Sequence, residues 1–212
     1  EQNQFTQKSL SHMDRCLTCR SCETTCPSGV EYGQLLEIGR EMMESKRGKL
    51  QALYRYIVRK TLLTPLLFKP IGYFLRHSKV SSKPIKPNTI DSSVLLMGGC
   101  VQPSLAPNIN HSIKNILAKL NIEVRESSQS ECCGALDQHL AASNDALKKV
   151  KRNIDTWISQ LDSGVEAIIS SASGCGVMIK DYPNLFEESD PYYEKALLVS
   201  SKTKDIAEFL AN

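Results

Sequence analysis

With 212 residues, 41% of them hydrophobic and 23% charged, the chain has the size and composition to bury a core in one large domain or two small ones, so a disordered polypeptide is not expected. The net charge of +3 conceals a segregation: Ser45 to Ile90 holds eleven Lys and Arg and no Asp or Glu, leaving −8 for the rest. No secretory leader is recognisable and no run reaches the ~18 apolar residues of a spanning helix, so the eight cysteines favour metal ligation over a disulfide framework.

A short polar lead runs into "CLTCRSCETTCP", residues 16 to 27, followed by a Pro27-Ser28-Gly29 turn. "GQLLEIGREMMES" then predicts a helix with Leu35, Leu36, Ile38 and Met42 as its apolar positions. Residues 50–79 predict one or two basic amphipathic helices broken near Pro65 and Pro70. "SSKPIKPNT" (81–89) has the composition of a linker and marks a domain boundary. Beyond it strands alternate with helices. "SVLLMGGC" reads as a buried parallel strand and "NINHSIKNILAKL" as a helix with Ile109, Ile113, Ile116, Leu117 and Leu120 on one stripe. "IEVRES" is a second strand, and "NDALKKVKRNIDTWISQL" a long helix burying Leu147, Val150, Ile154, Trp157, Ile158 and Leu161. "EAIISSASGC" is a third strand and "TKDIAEFLA" a closing helix. The pattern predicts an α/β fold, a helical N-terminal segment followed by a small parallel sheet. Chemistry in such sheets lies at the carboxyl ends of the strands, where Cys100 and Cys175 are expected.

Cys16, Cys19, Cys22 and Cys26 have the spacing C-x2-C-x2-C-x3-C-P. Three cysteines at successive x2 spacing let one loop curl around a corner of an iron–sulfur cubane, with loop amides tuning its sulfurs. Zinc knuckles use two separated pairs, and no second pair follows. In two-cluster ferredoxins the fourth cysteine of such a run ligates the other cluster. Either all four bind one cluster, or Cys26 completes a second cluster built by a motif upstream of Glu1. The second alternative is favoured, and with it the expectation that the chain is a fragment.

Cys100, Cys132, Cys133 and Cys175 form a second set, in "GGC", "ECCG" and "SGCG". The predicted sheet brings the strand ends together, and the glycines permit close backbone approach to a ligand. A single buried cysteine is commonly a small hydrophobe; an adjacent pair flanked by glycine points to metal or redox chemistry.

"RCLTCRSCETTCPSGVEYGQLLEIGRE", "GGCVQPSLAPNIN", "ECCGALDQHL", "RNIDTWI" and "ASGCGVMIKDY" resemble, in this order, the iron–sulfur subunits of bacterial glycolate oxidases, over nearly the whole chain. The resemblance implies a ferredoxin-like segment with [4Fe-4S] clusters, here its second motif (Cys16, Cys19, Cys22, Cys26). After it comes a cysteine-rich module of the Cys-Cys-Gly type with a further iron–sulfur cluster at Cys100, Cys132, Cys133 and Cys175. Related modules, in heterodisulfide reductase and lactate-utilisation proteins, end in C-x-x-C. Here the element is Cys175-Gly-Val-Met, which leaves the cluster type open. The implied domains are 1–45 (half of a two-cluster ferredoxin-like unit), 46–90 (basic helices and linker) and 91–212 (the Cys-Cys-Gly domain). The implied role is electron transfer from a flavoprotein partner, which oxidises glycolate to glyoxylate, to a membrane quinone, in a cytoplasmic protein peripheral on the inner face of the membrane. A disulfide- or quinone-reducing Cys-Cys-Gly subunit and a structural zinc protein are the competing readings.

The basic stretch is either the wet face of helices or a surface for anionic lipid or an acidic partner. Tyr54, Tyr56, Phe68, Tyr73 and Phe74 read as apolar helix faces, so a nucleic-acid partner is not expected. His139 follows Cys133 closely but reads as a non-ligand; His12, His77 and His111 show no partner pattern. Arg15 and Arg20 flank cluster thiolates and either offset negative charge or are simply solvated.

Overall fold

The computed structural model describes residues 6–76, 80, 83–126 and 132–211. Five helices come first: α1 (Gln7–Arg15), α2 (Ser21–Thr25), α3 (Tyr32–Glu44), α4 (Lys49–Leu63) and α5 (Pro65–Phe74). The α/β part follows as β1 (Ser92–Leu96), α6 (Gln102–Leu105), α7 (Asn108–Lys119), β2 (Ile122–Arg125), α8 (Ala135–His139), α9 (Ser143–Asp162), β3 (Ala167–Ser170) and α10 (Ser173–Lys180). A 3-10 turn (Tyr182–Leu185), α11 (Tyr193–Lys202), β4 (Thr203–Asp205) and α12 (Ile206–Leu210) complete it. The four strands are all parallel in the order β2-β1-β3-β4, as an α/β alternation requires.

Both faces of the sheet are covered. Leu95 and Ile168 pack with Val150, Ile154 and Trp157 of α9, while Val94, Leu96 and Ile169 pack with Ile113 and Leu117 of α7. This two-sided burial explains why β1 reads as a continuous apolar run. On α7, however, Ile109, Ile116 and Leu120 are exposed, so its buried stripe is narrower than its apolar content suggests.

Several expectations are corrected. Pro65 does separate two helices, standing at the first position of α5, where its missing N–H costs nothing. Pro70 does not break α5, which runs on to Phe74. Thr203–Asp205, expected at the start of a helix, is a fourth strand. Leu35, Ile38 and Met42 are exposed, and α3 instead buries Gly33, Gly39, Arg40 and Met43. Tyr54, Tyr56, Tyr73 and Phe74 are exposed too, Phe68 alone of those five aromatics being buried.

The basic stretch is partly structural. Arg47 is buried and pairs with Asp14 and Glu44. Arg59 pairs with Asp137 at 2.7 Å and Asp145 at 2.9 Å, and Lys149 pairs with Asp137 from the other side at 2.5 Å. This buried cluster ties α4 to the α/β part. Alongside it α5 lies so close to α6 that a Cβ on Gly72 would come within 2.6 Å of Ser104. His77 and Lys79 lie outside the described residues, as do positions 81–82 of the expected linker; residues 83–87 of that linker have no regular structure.

Candidate metal centres

The first cysteine loop joins α1 to α3. Thr18 (φ 55°) and Arg20 (φ 58°) both take the left-handed conformation, which costs side-chain-bearing residues about 1–2 kcal/mol each and collects at ligand clamps. Two arginines hold the curl. Buried Arg40 donates to Cys16 O at 2.8 Å, Met13 O at 3.0 Å and Thr18 Oγ1 at 3.1 Å. Arg20 pairs with Asp181, its Nη1 lying 2.9 Å from Oδ1. Cys16 and Cys22 line one pocket of about 340 Å³ with Tyr32 and Leu36. Cys19 pairs with Ser21, whose N–H and hydroxyl hold its pKa below that of an ordinary thiol. Cys26 points at the 28–30 turn. Its sulfur accepts from the N–H groups of Val30, Ser28 and Gly29 and lies 3.7 Å from Tyr32 Oη, and these contacts lower its pKa. Backbone amides aimed at sulfur are the expected dressing of an iron–sulfur ligand.

The second set is assembled by long-range folding. Cys100 lies beyond β1, Cys132 and Cys133 precede α8, and Cys175 stands in the first turn of α10, a helix where a strand end was expected. All four belong to, or pack against, one hydrophobic cluster with Leu95, Val150 and Trp157. The neighbouring Cys132 and burial hold Cys100 up as a thiol, while Cys100 and Cys133 lower Cys132; Cys133 is raised by Cys132 and Cys175, and Cys175 is lowered by Cys133. The Gly134 N–H and the charge of Lys149 lower Cys132 further. The lowered pKa of Cys132 and Cys175 favours the thiolate, the form that ligates metal. Gly134 has φ +90°, a conformation strained for residues with a side chain, so the turn that follows the Cys-Cys pair favours glycine.

Polar residues that sequence reasoning did not single out hold the backbone around these thiols. Asn153 donates to Cys132 O at 3.1 Å, and Tyr182 Oη donates to Cys133 O at 2.9 Å. Burial holds the Tyr182 phenol well above its ordinary pKa, and its ring stacks on Trp157. Asn110 donates to Gly98 O and accepts from Gln102 and Ser171, locking the loops that follow β1 and β3. The only signal in the sequence is a polar residue within an apolar helical stripe, such as Asn153 between Val150 and Ile154.

His139 faces Glu37 of α3 at 3.4 Å. Burial raises the Glu37 carboxyl, but the neighbouring His139 and a hydrogen bond from Gln138 outweigh it and leave the pKa lowered. Among the described residues no three His, Cys, Asp or Glu side chains form a ready-made site for a single metal ion. The second set offers four thiol donors, two buried and two partly buried, and this donor chemistry fits an iron–sulfur group.

Four cysteines gathered beyond the carboxyl ends of a parallel sheet, two of them adjacent and followed by glycine, define a cysteine-rich α/β module. Residues 94–180, which contain all four, match the family model described as "Cysteine-rich domain" (CCG). The chain as a whole is similar to the "Glycolate oxidase iron-sulfur subunit" of Escherichia coli (strain K12), with 38% identity over 99% of this chain and 56% of that protein. It is 27% identical to the "Probable glycolate oxidase iron-sulfur subunit" of Bacillus subtilis (strain 168), over 99% of this chain and 55% of the relative. "Lactate utilization protein A" of the same strain is 29% identical over 56% of this chain and 48% of its own length. The chain thus spans about half the length of the curated relatives it matches. No solved structure matches it.

Proposed function

We propose that this chain is the electron-carrying iron–sulfur part of a complex that oxidises a 2-hydroxy acid, glycolate to glyoxylate. A flavoprotein partner takes two electrons and two protons from the CH–OH carbon, and a membrane quinone takes up two of each to become the quinol, which balances the reaction. Cys16, Cys19 and Cys22 would hold a [4Fe-4S] cluster, with Cys26 in the same or a neighbouring cluster; Cys100, Cys132, Cys133 and Cys175 would hold a further iron–sulfur cluster. Such groups, when bound, supply one-electron transfer between two-electron partners. The residues of the chain do the rest: the 28–30 amides stabilise charge on Cys26, Lys149 does so at Cys132, and Tyr182 with Asn153 fixes the Cys132–Cys133 backbone.

The observation that carries this reading is the gathering of Cys100, Cys132, Cys133 and Cys175 in and against one cluster, within the residues that match the cysteine-rich family model. The chain divides functionally into a cluster loop (1–45), a basic helical region (46–90) and the cysteine-rich domain (91–212). That helical region favours a peripheral place on the cytoplasmic side of the membrane. Leu50, Tyr54, Leu66, Tyr73 and Phe74 are exposed there beside Lys49 and Lys69, without one acidic residue from 45 to 90. Each basic residue close to an anionic bilayer contributes about 1 kcal/mol. Among the described residues no helix is long and apolar enough to cross a membrane.

Anaerobic purification with iron, zinc and sulfide analysis and EPR tests the reading. A brown, iron- and sulfide-containing protein with a signal on reduction is expected; a colourless zinc protein would refute it.

A further inference from the structure

The largest cavity, about 620 Å³, is a groove bordered by β2, α7 and the 83–90 segment, and it touches no cysteine. It follows β2 from Ile122 to Glu126. β2 is the outermost strand of the sheet: it bonds to β1 on one side, and no other strand adjoins it among the described residues. A free strand edge presents a row of N–H and C=O groups at the repeat of an extended chain, and proteins commonly guard such edges. Here the guard is incomplete. Pro84 and Pro87 of the flanking segment have no N–H, and the Ile85 N–H donates to Asn115 Oδ1 at 2.9 Å. With N–H groups missing or engaged at 84, 85 and 87, this wall forms no ladder with β2, and the groove between them stays open.

The surroundings define the occupant. Ile122 and Val124 pack with the α7 side of the sheet, so Glu123 and Arg125, paired at 3.2 Å, lie on the opposite face. A strand laid along β2 therefore sends every second side chain into the groove, where Ile85, Ile90 and Ala118 favour apolar groups. Ile85 and Ile90 are 48% and 61% exposed, and covering them yields about 25 cal/mol per Å². Charge adds a further constraint. Lys83 and Lys86 stand exposed on the wall without an ion pair among the described residues, whereas Lys114 is held by Glu126 at 2.7 Å. The complementary strand carries carboxylates. A compact small molecule would leave the strand edge unmatched; an extended peptide matches it along its length.

We propose that this groove docks an extended acidic segment of a partner protein, added to the four-stranded sheet alongside β2 with its alternate apolar side chains beneath the 83–90 segment. The groove stands apart from both cysteine sets, so the assignment does not depend on the electron-transfer reading.

The probe is a fluorescein-labelled hexapeptide of alternating Glu and Val, titrated into the anaerobically purified, iron-loaded protein and followed by anisotropy. Saturable binding is expected, with slowed hydrogen exchange confined to 83–90 and 122–126. The same peptide N-methylated at every amide keeps its charge and side chains but cannot donate to a ladder, and a peptide of alternating Lys and Val reverses the charge; each should bind at least about tenfold more weakly. Lys83→Glu with Lys86→Glu should lose as much, whereas Ile116→Ser, on α7 outside the groove, should not. Absent or non-saturable binding, equal affinity for the N-methylated peptide, or an unaffected double variant overturns the proposal. Sedimentation of the protein alone decides the source of the strand: a monomer is expected, and a dimer that the acidic peptide disperses would make the occupant a second copy of this chain and overturn the partner assignment.

Discussion

Asp137→Ala is the most informative single change in the scaffold. Asp137 is 2% exposed at its side chain and receives Arg59 from α4 and Lys149 from α9. Removing one partner of a buried pair typically costs about 3–5 kcal/mol, because the stranded charge keeps its desolvation penalty. Arg59 retains Asp145, and Lys149 is 20% exposed, so the lower end of that range applies. At about 2–4 °C per kcal/mol for a chain of this size, the melting temperature should fall by roughly 6–12 °C. Replacing Arg59 and Asp137 together by Met and Leu should recover part of that loss, since an apolar pair of similar volume leaves fewer charges stranded. Thermal unfolding of the iron-loaded single and double variants measures this. A change below about 0.5 kcal/mol in Asp137→Ala, or strictly additive losses in the double variant, would refute the reasoning.

Cys133→Ser should lower the iron content and abolish the signal of the second site while sparing that of the first, as read by iron analysis and EPR. Leu66→Ser with Phe74→Ser should reduce cosedimentation with anionic liposomes without altering the visible band; unchanged binding would remove α5 from the membrane face. For acid stability the sign follows from Asp14, whose carboxyl Arg47 holds below the ordinary 3.8 by a hydrogen bond that outweighs burial. The folded pKa lies below the unfolded one, so the stabilisation is complete above pH 3.8 and disappears as pH falls through the depressed value. Arg47→Met should therefore flatten the acid end of a melting-temperature profile. Arg20→Gln should perturb the spectrum of the second site as well as the first, because Arg20 bonds to Asp181 at the end of α10.

Local periodicity made much of the α/β part legible. Val150, Ile154 and Trp157 recur at helical spacing because α9 lies on the sheet, and Val94 to Leu96 are apolar throughout because both faces of β1 are covered. β4 escaped because it is three residues long and exists only by pairing with β3, a contact that no local pattern encodes. The structural role of Arg59 was not legible because its carboxylate partners are distant in sequence: Arg59 and Asp137 are separated by 78 positions. The two cysteine sets differ in the same way. The first is written in twelve consecutive residues; the second depended on predicting that β1 and β3 share a sheet, and so the placement of Cys175 on a helix was missed.

The same long-range contacts make the two sets one mechanical unit. Arg20, between Cys19 and Cys22, is fixed by Asp181, whose carboxyl is pushed up by burial even though Arg20 pulls it down. Asp181 closes the helix that begins beside Cys175, and its neighbour Tyr182 holds the carbonyl of Cys133. A shift of the first loop is therefore transmitted through one ion pair and one helix of eight residues to Cys175 and to the backbone of Cys133. Glu37 with Gln138, and Glu41 with Ser143, brace the same seam. The electron-transfer reading requires a constant separation of the two centres, and polar bonds between the first cysteine loop and the cysteine-rich part supply it.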